Sequence, residues 1–251
     1  MKKMLNFSIF NFFFLIVSFF IFTLSACNKT ETFVSPSLND YFPLQTGKYI
    51  SYQLDSLVYL SFGTRDTTIS YQVKYQVDSL ITDNLGRPAY KVIRFIRKNQ
   101  QNTWRPEATL LAIATEKNIE WVENNLRFVK LQLPIINNFS WLGNSYIDTY
   151  SGNSPFRYLD AWDYTYSNVG DTATIGNQFL QNTLTVNQRD EEVGQVTDPL
   201  SYSEINYAQE KYAKGIGLVY KKFFHKEYQP NNGGYAADGS YGVTYTMIEH
   251  N

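Results

Sequence analysis

Two histidines supply all the imidazole in this 251-residue chain, so acid/base and metal chemistry have few places to sit. His225 lies in an alternating run from Leu218 to Tyr228, on the face of Lys221, Phe223 and Glu227 and opposite Tyr220, Phe224 and Tyr228. Side chains two apart on a strand project together, so His225 and Glu227 form a possible acid/base or metal pair. Metal sites take three or more ligands and no third is in view, so the expected reading is a surface pair beside a sheet. His250 lies next to the last residue, where chains commonly fray. Asp160 and Asp163 flank Trp162, with Asp148 nearby. Carboxylates beside an aromatic ring suit glycan hydrolysis or a calcium site, but this spacing matches no calcium loop. Gly152-Asn153-Ser154-Pro155 lacks the second glycine of a nucleophile elbow. Gly215-Ile216-Gly217 lacks the third glycine and the following helix of a dinucleotide loop, and reads as a tight turn feeding a strand. The expectation is a protein without catalytic residues, metal or cofactor.

The only cysteine is Cys27, behind Leu24, Ser25 and Ala26. Before it come Lys2 and Lys3 and then an apolar stretch from Leu5 to Leu24. A signal peptide's apolar region runs about 7 to 15 residues and a spanning helix needs about 20, so length alone does not separate them. The motif does, because Leu24-Ser25-Ala26-Cys27 resembles the lipobox of bacterial lipoproteins. That resemblance implies cleavage before Cys27, a diacylglyceryl group on its thiol, and often an acyl chain such as palmitate on the new N-terminus. Two or more chains anchor stably, at about 0.8 kcal/mol per buried methylene. Asn28 is not the aspartate that marks inner-membrane retention in enteric bacteria, which points to the outer membrane, on either face.

With one cysteine, no disulfide can form within the chain, so stability must come from packing and hydrogen bonds. A net charge of −1 leaves no basic footprint for nucleic acid. Aromatic residues make up 17% of the chain, and with frequent Thr and Val they favour strands.

The elements follow. Residues 28–39 are polar and read as a tether after the lipidated cysteine, with the domain running from Asp40 to Asn251. Strands are predicted over Tyr49 to Leu60, Ile69 to Ser79, Tyr90 to Arg97, Trp104 to Thr115, Ile119 to Val122, Leu126 to Leu133, Asp171 to Val186 in one or two pieces, Leu218 to Tyr228 and Tyr241 to Glu249. Turns fall at Asp83-Asn84-Leu85-Gly86, Asn99 to Asn102 and Asn124-Asn125, which suggests a meander. Ile135 to Tyr166 has no sustained period and reads as a long aromatic-rich excursion across one end of the sheet. Gln188 to Asp198 reads as a solvated charged loop, and Tyr202 to Ala213 as a possible short helix. The fold class is all-β and mostly antiparallel: a β-sandwich or an incomplete β-barrel with at most one short helix.

Asp40-Tyr41-Phe42-Pro43-Leu44 with Gly47, Tyr212-Ala213-Lys214-Gly215-Ile216-Gly217-Leu218-Val219-Tyr220, and the ending Tyr245 to Asn251 resemble uncharacterised cell-envelope lipoproteins of Bacteroidetes. That resemblance implies an envelope location and brings no catalytic residues. Asp55-Ser56-Leu57, Asp66-Thr67-Thr68, Asp78-Ser79-Leu80 and Asp171-Thr172-Ala173 look like the O-glycosylation signal of that phylum, which implies Ser56, Thr67, Ser79 and Thr172 as acceptors.

The functional expectation is a membrane-anchored, exported, non-catalytic lipoprotein whose β domain binds an envelope protein, a glycan or a lipid. Its contact surface is expected in the segment from Phe139 to Tyr166, through Trp141, Tyr150, Trp162 and Tyr164. The alternatives are a structural subunit of an envelope complex and a glycan hydrolase built on Asp148, Asp160 and Asp163.

Overall fold

Alternation at Tyr71, Val73, Tyr75 and Val77 demands a strand with one covered face, and the computed structural model places all four in an 18-residue strand. It describes residues 35–61, 63–196, 198–230, 234–235 and 239–251. The signal segment, the lipobox Leu24 to Cys27 and the tether as far as residue 34 lie outside the described residues.

Folded structure opens with a short helix, α1 (Leu38–Tyr41), fixed by reciprocal bonds between Ser37 and Asp40. Strands follow as β1 (Tyr49–Leu60), β2 (Arg65–Thr82), β3 (Pro88–Arg97), β4 (Arg105–Ala114), β5 (Asn118–Glu123), β6 (Leu126–Gln132) and β7 (Ser140–Leu142). After a 3-10 turn (Arg157–Leu159) come β8 (Asp163–Ile175), β9 (Gln178–Gly194), β10 (Ser203–Ala213), β11 (Gly217–Gln229), the two-residue β12 (Gly234–Tyr235) and β13 (Tyr241–His250).

All pair antiparallel in one sheet ordered β6-β5-β4-β3-β2-β1-β13-β11-β10-β9-β8-β7, with β12 attached to β11. The order is two meanders joined where β1 runs beside β13, from Ile50 opposite His250 to Leu57 opposite Gly242. Turn chemistry sets the hairpins. Asn124 and Asn125 both take positive φ, 52° and 62°, the pair of left-handed residues that a tight hairpin needs. Asp83 Oδ1 accepts from the backbone N–H groups of Leu85 and Arg87, closing the β2–β3 turn.

The two free edges of the sheet then meet. The Val129 N–H in β6 donates to the Gly143 carbonyl just after β7 at 2.8 Å, and the Trp141 indole returns a 2.8 Å bond to the Val129 carbonyl. Tyr166 Oη donates to the Gln132 carbonyl at 2.9 Å and accepts from the Gln132 N–H at 2.8 Å. The result is a nearly closed barrel of 12 strands, the second of the two architectures expected.

Three expectations change. The stretch expected as a helix forms β10 (Ser203–Ala213) instead, with Asn206, Ala208, Glu210 and Tyr212 alternating as buried positions. Gln188 to Gly194 belong to β9 and pair with β10, so the charged loop shrinks to the residues after Gly194. The excursion contains β7 and the start of β8.

Candidate functional site

A barrel of this width is too broad for aliphatic side chains to fill from one wall to the other, so what points inward decides what it can do. From β2, β3 and β5 come Tyr75, Arg94 and Glu123; from β6, Lys130; from β8 and β9, Tyr164 and Gln188; from β10, Glu210 and Tyr212; from β11, Lys221 and Phe223; from β13, Val243 and Tyr245. Lys130 Nζ donates to Glu210 Oε1 at 2.6 Å, and Glu210 also accepts from Tyr212 Oη at 2.6 Å. Burial pushes the Glu210 carboxyl up, but the charges of Lys130 and Lys221 and these hydrogen bonds outweigh it and hold the group below its usual range. Arg94 reaches Glu123 at 2.7 Å and Glu107 at 2.8 Å. Tyr75 and Tyr245, on the two strands flanking β1, bring their hydroxyls together, and burial raises both phenols.

This charged waist separates two cavities. The smaller, about 100 Å³, has mostly apolar walls, among them Phe42, Leu44, Ile50, Val92 and Trp121, and the segment after α1 lines that end. The larger, about 300 Å³, lies on the other side. Phe128, Phe223 and Val243 line it from the sheet, and Phe156, Tyr158, Leu159 and Trp162 line it from the excursion. The excursion is pinned by its own polar groups. Tyr164 Oη donates to Asn144 Oδ1 at 2.9 Å, Asn144 Nδ2 to the Leu159 carbonyl at 2.9 Å, and the Trp162 indole to the Tyr158 carbonyl at 2.7 Å.

Two polar groups in the larger cavity stand out. Gln188 is 5% exposed, and its Nε2 is a buried donor with no partner among the described residues. Leaving such a donor unbonded costs about 1–3 kcal/mol. Lys221 forms no ion pair among the described residues, and its Nζ lies 5.6 Å from the centre of the Tyr245 ring.

The expected contact surface is turned inside out. Trp141, Trp162 and Tyr164 are 5%, 1% and 2% exposed, while Tyr150 is 83% exposed. Large rings in an irregular segment cover the barrel end and do not face solvent; Trp162 and Tyr164 line the cavity. His225 is also not a surface residue: it is buried, stacked on Tyr158 at 3.9 Å between centroids, with Nδ1 2.7 Å from Asn206 Oδ1. Burial lowers its pKa, opposed by the charges of Glu204 and Glu227. Its nearest carboxylate is Glu204 at 3.9 Å rather than Glu227, which is bonded by Gln229.

Asp148 is taken up by a local turn, accepting from the Tyr150 and Ser151 N–H groups. Asp160 accepts from Thr149 Oγ1 at 2.6 Å, and Asp163 is exposed at the start of β8. Among the described residues no three of His, Cys, Asp and Glu gather where a metal could be held. Ser56 and Ser79 are half-buried in β1 and β2, while Thr67 and Thr172 are exposed on β2 and β8. Gln188, Lys221, Lys130 and Glu210 were not singled out from the sequence; on their inner faces Leu184 and Val186 precede Gln188 in β9, and Asn206 and Glu210 alternate with Ala208 and Tyr212 in β10.

No family model and no curated protein matches the chain. Among solved structures, a Bacteroides fragilis protein described as exported, with a YmcC-like fold, aligns over 83% of this chain and 99% of its own at 10% identity and a TM-score of 0.40. A protein described as a lipoprotein from Parabacteroides distasonis aligns over 84% and 97% at 13% identity and a TM-score of 0.27. LprF from Mycobacterium bovis aligns over 80% and 85% at 10% identity and a TM-score of 0.20.

Proposed function

We propose that this protein is an exported, lipid-anchored binding protein, not an enzyme, that encloses a small amphipathic molecule of the cell envelope inside its barrel. The observation that carries the reading is the cavity of about 300 Å³, whose wall combines eight aromatic side chains with an unbonded amide donor and the Lys221 ammonium. Well-packed interiors leave few voids larger than a water molecule, and ligand pockets begin at about this size. A wall of aromatic and aliphatic side chains with polar groups set among them suits a molecule with an apolar body and a polar end. The anchor in this reading is supported by Lys2, Lys3, the apolar stretch and Leu24-Ser25-Ala26-Cys27, and its outer-membrane location by Asn28 after Cys27.

Native mass spectrometry of protein extracted from its own membrane tests both halves. A mass beginning at diacylated Cys27, with a bound small molecule that is lost in Val243→Trp, is the expected result. Val243 lines the cavity, so an indole there fills it. An unprocessed mass would overturn the anchor, and equal occupancy in Val243→Trp would overturn the cavity.

A further inference from the structure

We infer that the occupant of the larger cavity carries an oxyanion head group, held between the Lys221 ammonium and the Gln188 amide. The inference rests on the barrel being a ligand-binding cavity and adds the chemistry of the ligand's polar end. Four charged side chains line that cavity: Arg94, Glu123, Lys130 and Lys221. Arg94 is matched by Glu107 and Glu123, and Lys130 by Glu210. Lys221 stands across from Glu210 and its charge acts on that carboxylate, but it makes no ion pair within 4 Å among the described residues, because Glu210 Oε1 is taken by Lys130. A partly buried ammonium whose direct contacts are ring faces such as that of Tyr245, with its facing carboxylate already bonded by Lys130, favours a further anion within hydrogen-bond reach.

Gln188 supplies the second, independent sign. Its Nε2 is a donor, buried and unbonded, in the wall of the same cavity. Two donors without a hydrogen-bond acceptor or ion-pair partner within reach make a site for an acceptor-rich group. Residue 221 stands opposite Glu210 on β10, and Gln188 lies on β9 at the step in the pairing between Ala208 and Gln209. The two backbones are thus two strands apart, about 10 Å across the sheet, with Gln188 two residues along β9 from Val186, the partner of Glu210, and both side chains line the same cavity. The remaining wall, with Phe128, Phe156, Leu159 and Trp162, receives the apolar body.

The test is equilibrium binding of radiolabelled decanoate, decyl phosphate and decanol to the full-length protein held in amphipol, with inorganic phosphate as competitor. Decanoate or decyl phosphate should bind at least about tenfold more tightly than decanol, the size of a charge-assisted hydrogen bond. Lys221→Met should reduce the acids to the level of decanol, Lys221→Arg should keep the preference, and Gln188→Leu should weaken the acids alone. Equal binding of acid and alcohol would overturn the head-group inference and leave the cavity reading standing, whereas binding of neither would overturn both. Displacement by inorganic phosphate at equal concentration would show a free-anion site and overturn the amphiphile. Lys221→Met binding decanoate like wild type would remove Lys221 from the site.

Discussion

The Tyr164 ring packs directly against Gly143, so a β-carbon built on that glycine would overlap three of its ring carbons. The same glycine's carbonyl accepts the Val129 N–H that ties β7 to β6. One missing methyl group therefore lets an inward-facing ring and the barrel seam share a single position.

Gly143→Ala should accordingly cost about 1–3 kcal/mol through overpacking, lowering the melting temperature by about 2–10 °C in a domain of this size. Gly152→Ala, where a β-carbon meets nothing within 4 Å, should melt like wild type. Circular-dichroism melts of the two variants decide it; equal melting points would mean that Tyr164 moves aside freely.

The Lys130–Glu210 pair gives a test of what a buried ion pair does here. Glu210→Gln leaves a buried ammonium without its counter-charge and should destabilise by about 3–5 kcal/mol, read as a lower urea midpoint at unchanged slope. Replacing both by Met should recover most of the loss, because two apolar chains need no partner. A double variant no better than Glu210→Gln would show that Tyr212 or Lys221 depends on the carboxylate too.

A second carboxylate, Glu120, is 1% exposed and accepts two bonds from Arg87, at 3.0 and 2.8 Å, besides one from Arg127. Both arginines are partly solvated, so Glu120→Gln should cost less than the interior pair, about 2 kcal/mol. Urea unfolding at low and high salt should show a persistent deficit; a deficit that vanishes in salt would mean a surface pair.

His225 sets a pH window. Burial lowers its folded pKa below the ordinary value of 6.5, while Glu204 and Glu227 pull the other way, and Asn206 and the Tyr158 ring face it without charge. The unfolded chain binds the proton first, so this contribution is fully present above about pH 6.5 and is lost as pH falls through the folded value. Stability should decline between about pH 7 and 5, and His225→Gln should flatten that decline. Asp83, whose carboxyl the Arg87 backbone N–H and side chain hold down, acts only below its usual range and leaves this window clear. An unchanged slope in His225→Gln would mean that burial does not shift the imidazole between the folded and unfolded chain.

The strands of the first meander are legible because one face is apolar: Tyr71, Val73, Tyr75 and Val77 face inward and Gln, Lys and Ser alternate with them. The asparagine turn at Asn124 and Asn125 is legible from side-chain chemistry alone. The second meander hides itself, because its inner face carries Gln188, Asn206, Glu210, Lys221 and His225. Period two survives there, but a polar interior erases the contrast that reveals it. The residues after Gln188 look like a loop, β10 like a helix, and His225 like a surface residue. The site is illegible for the same reason: its donors resemble solvated side chains until the sheet curls around them. The aromatic excursion is visible as unusual, but nothing in its spacing tells whether the rings face outward or inward.

The seam between β6 and β7 is held by a few bonds involving Val129, Trp141, Gly143, Gln132 and Tyr166, whereas every other junction is a run of paired residues. Parting it would open the wall while leaving every paired strand ladder intact. If a ligand passes there, the fraction of time the seam stands open multiplies both arrival and departure rates and cancels from the affinity. The barrel could then hold a molecule for a long residence at modest equilibrium strength, with the timing written in Gly143 and Trp141 and the tightness in the cavity beyond.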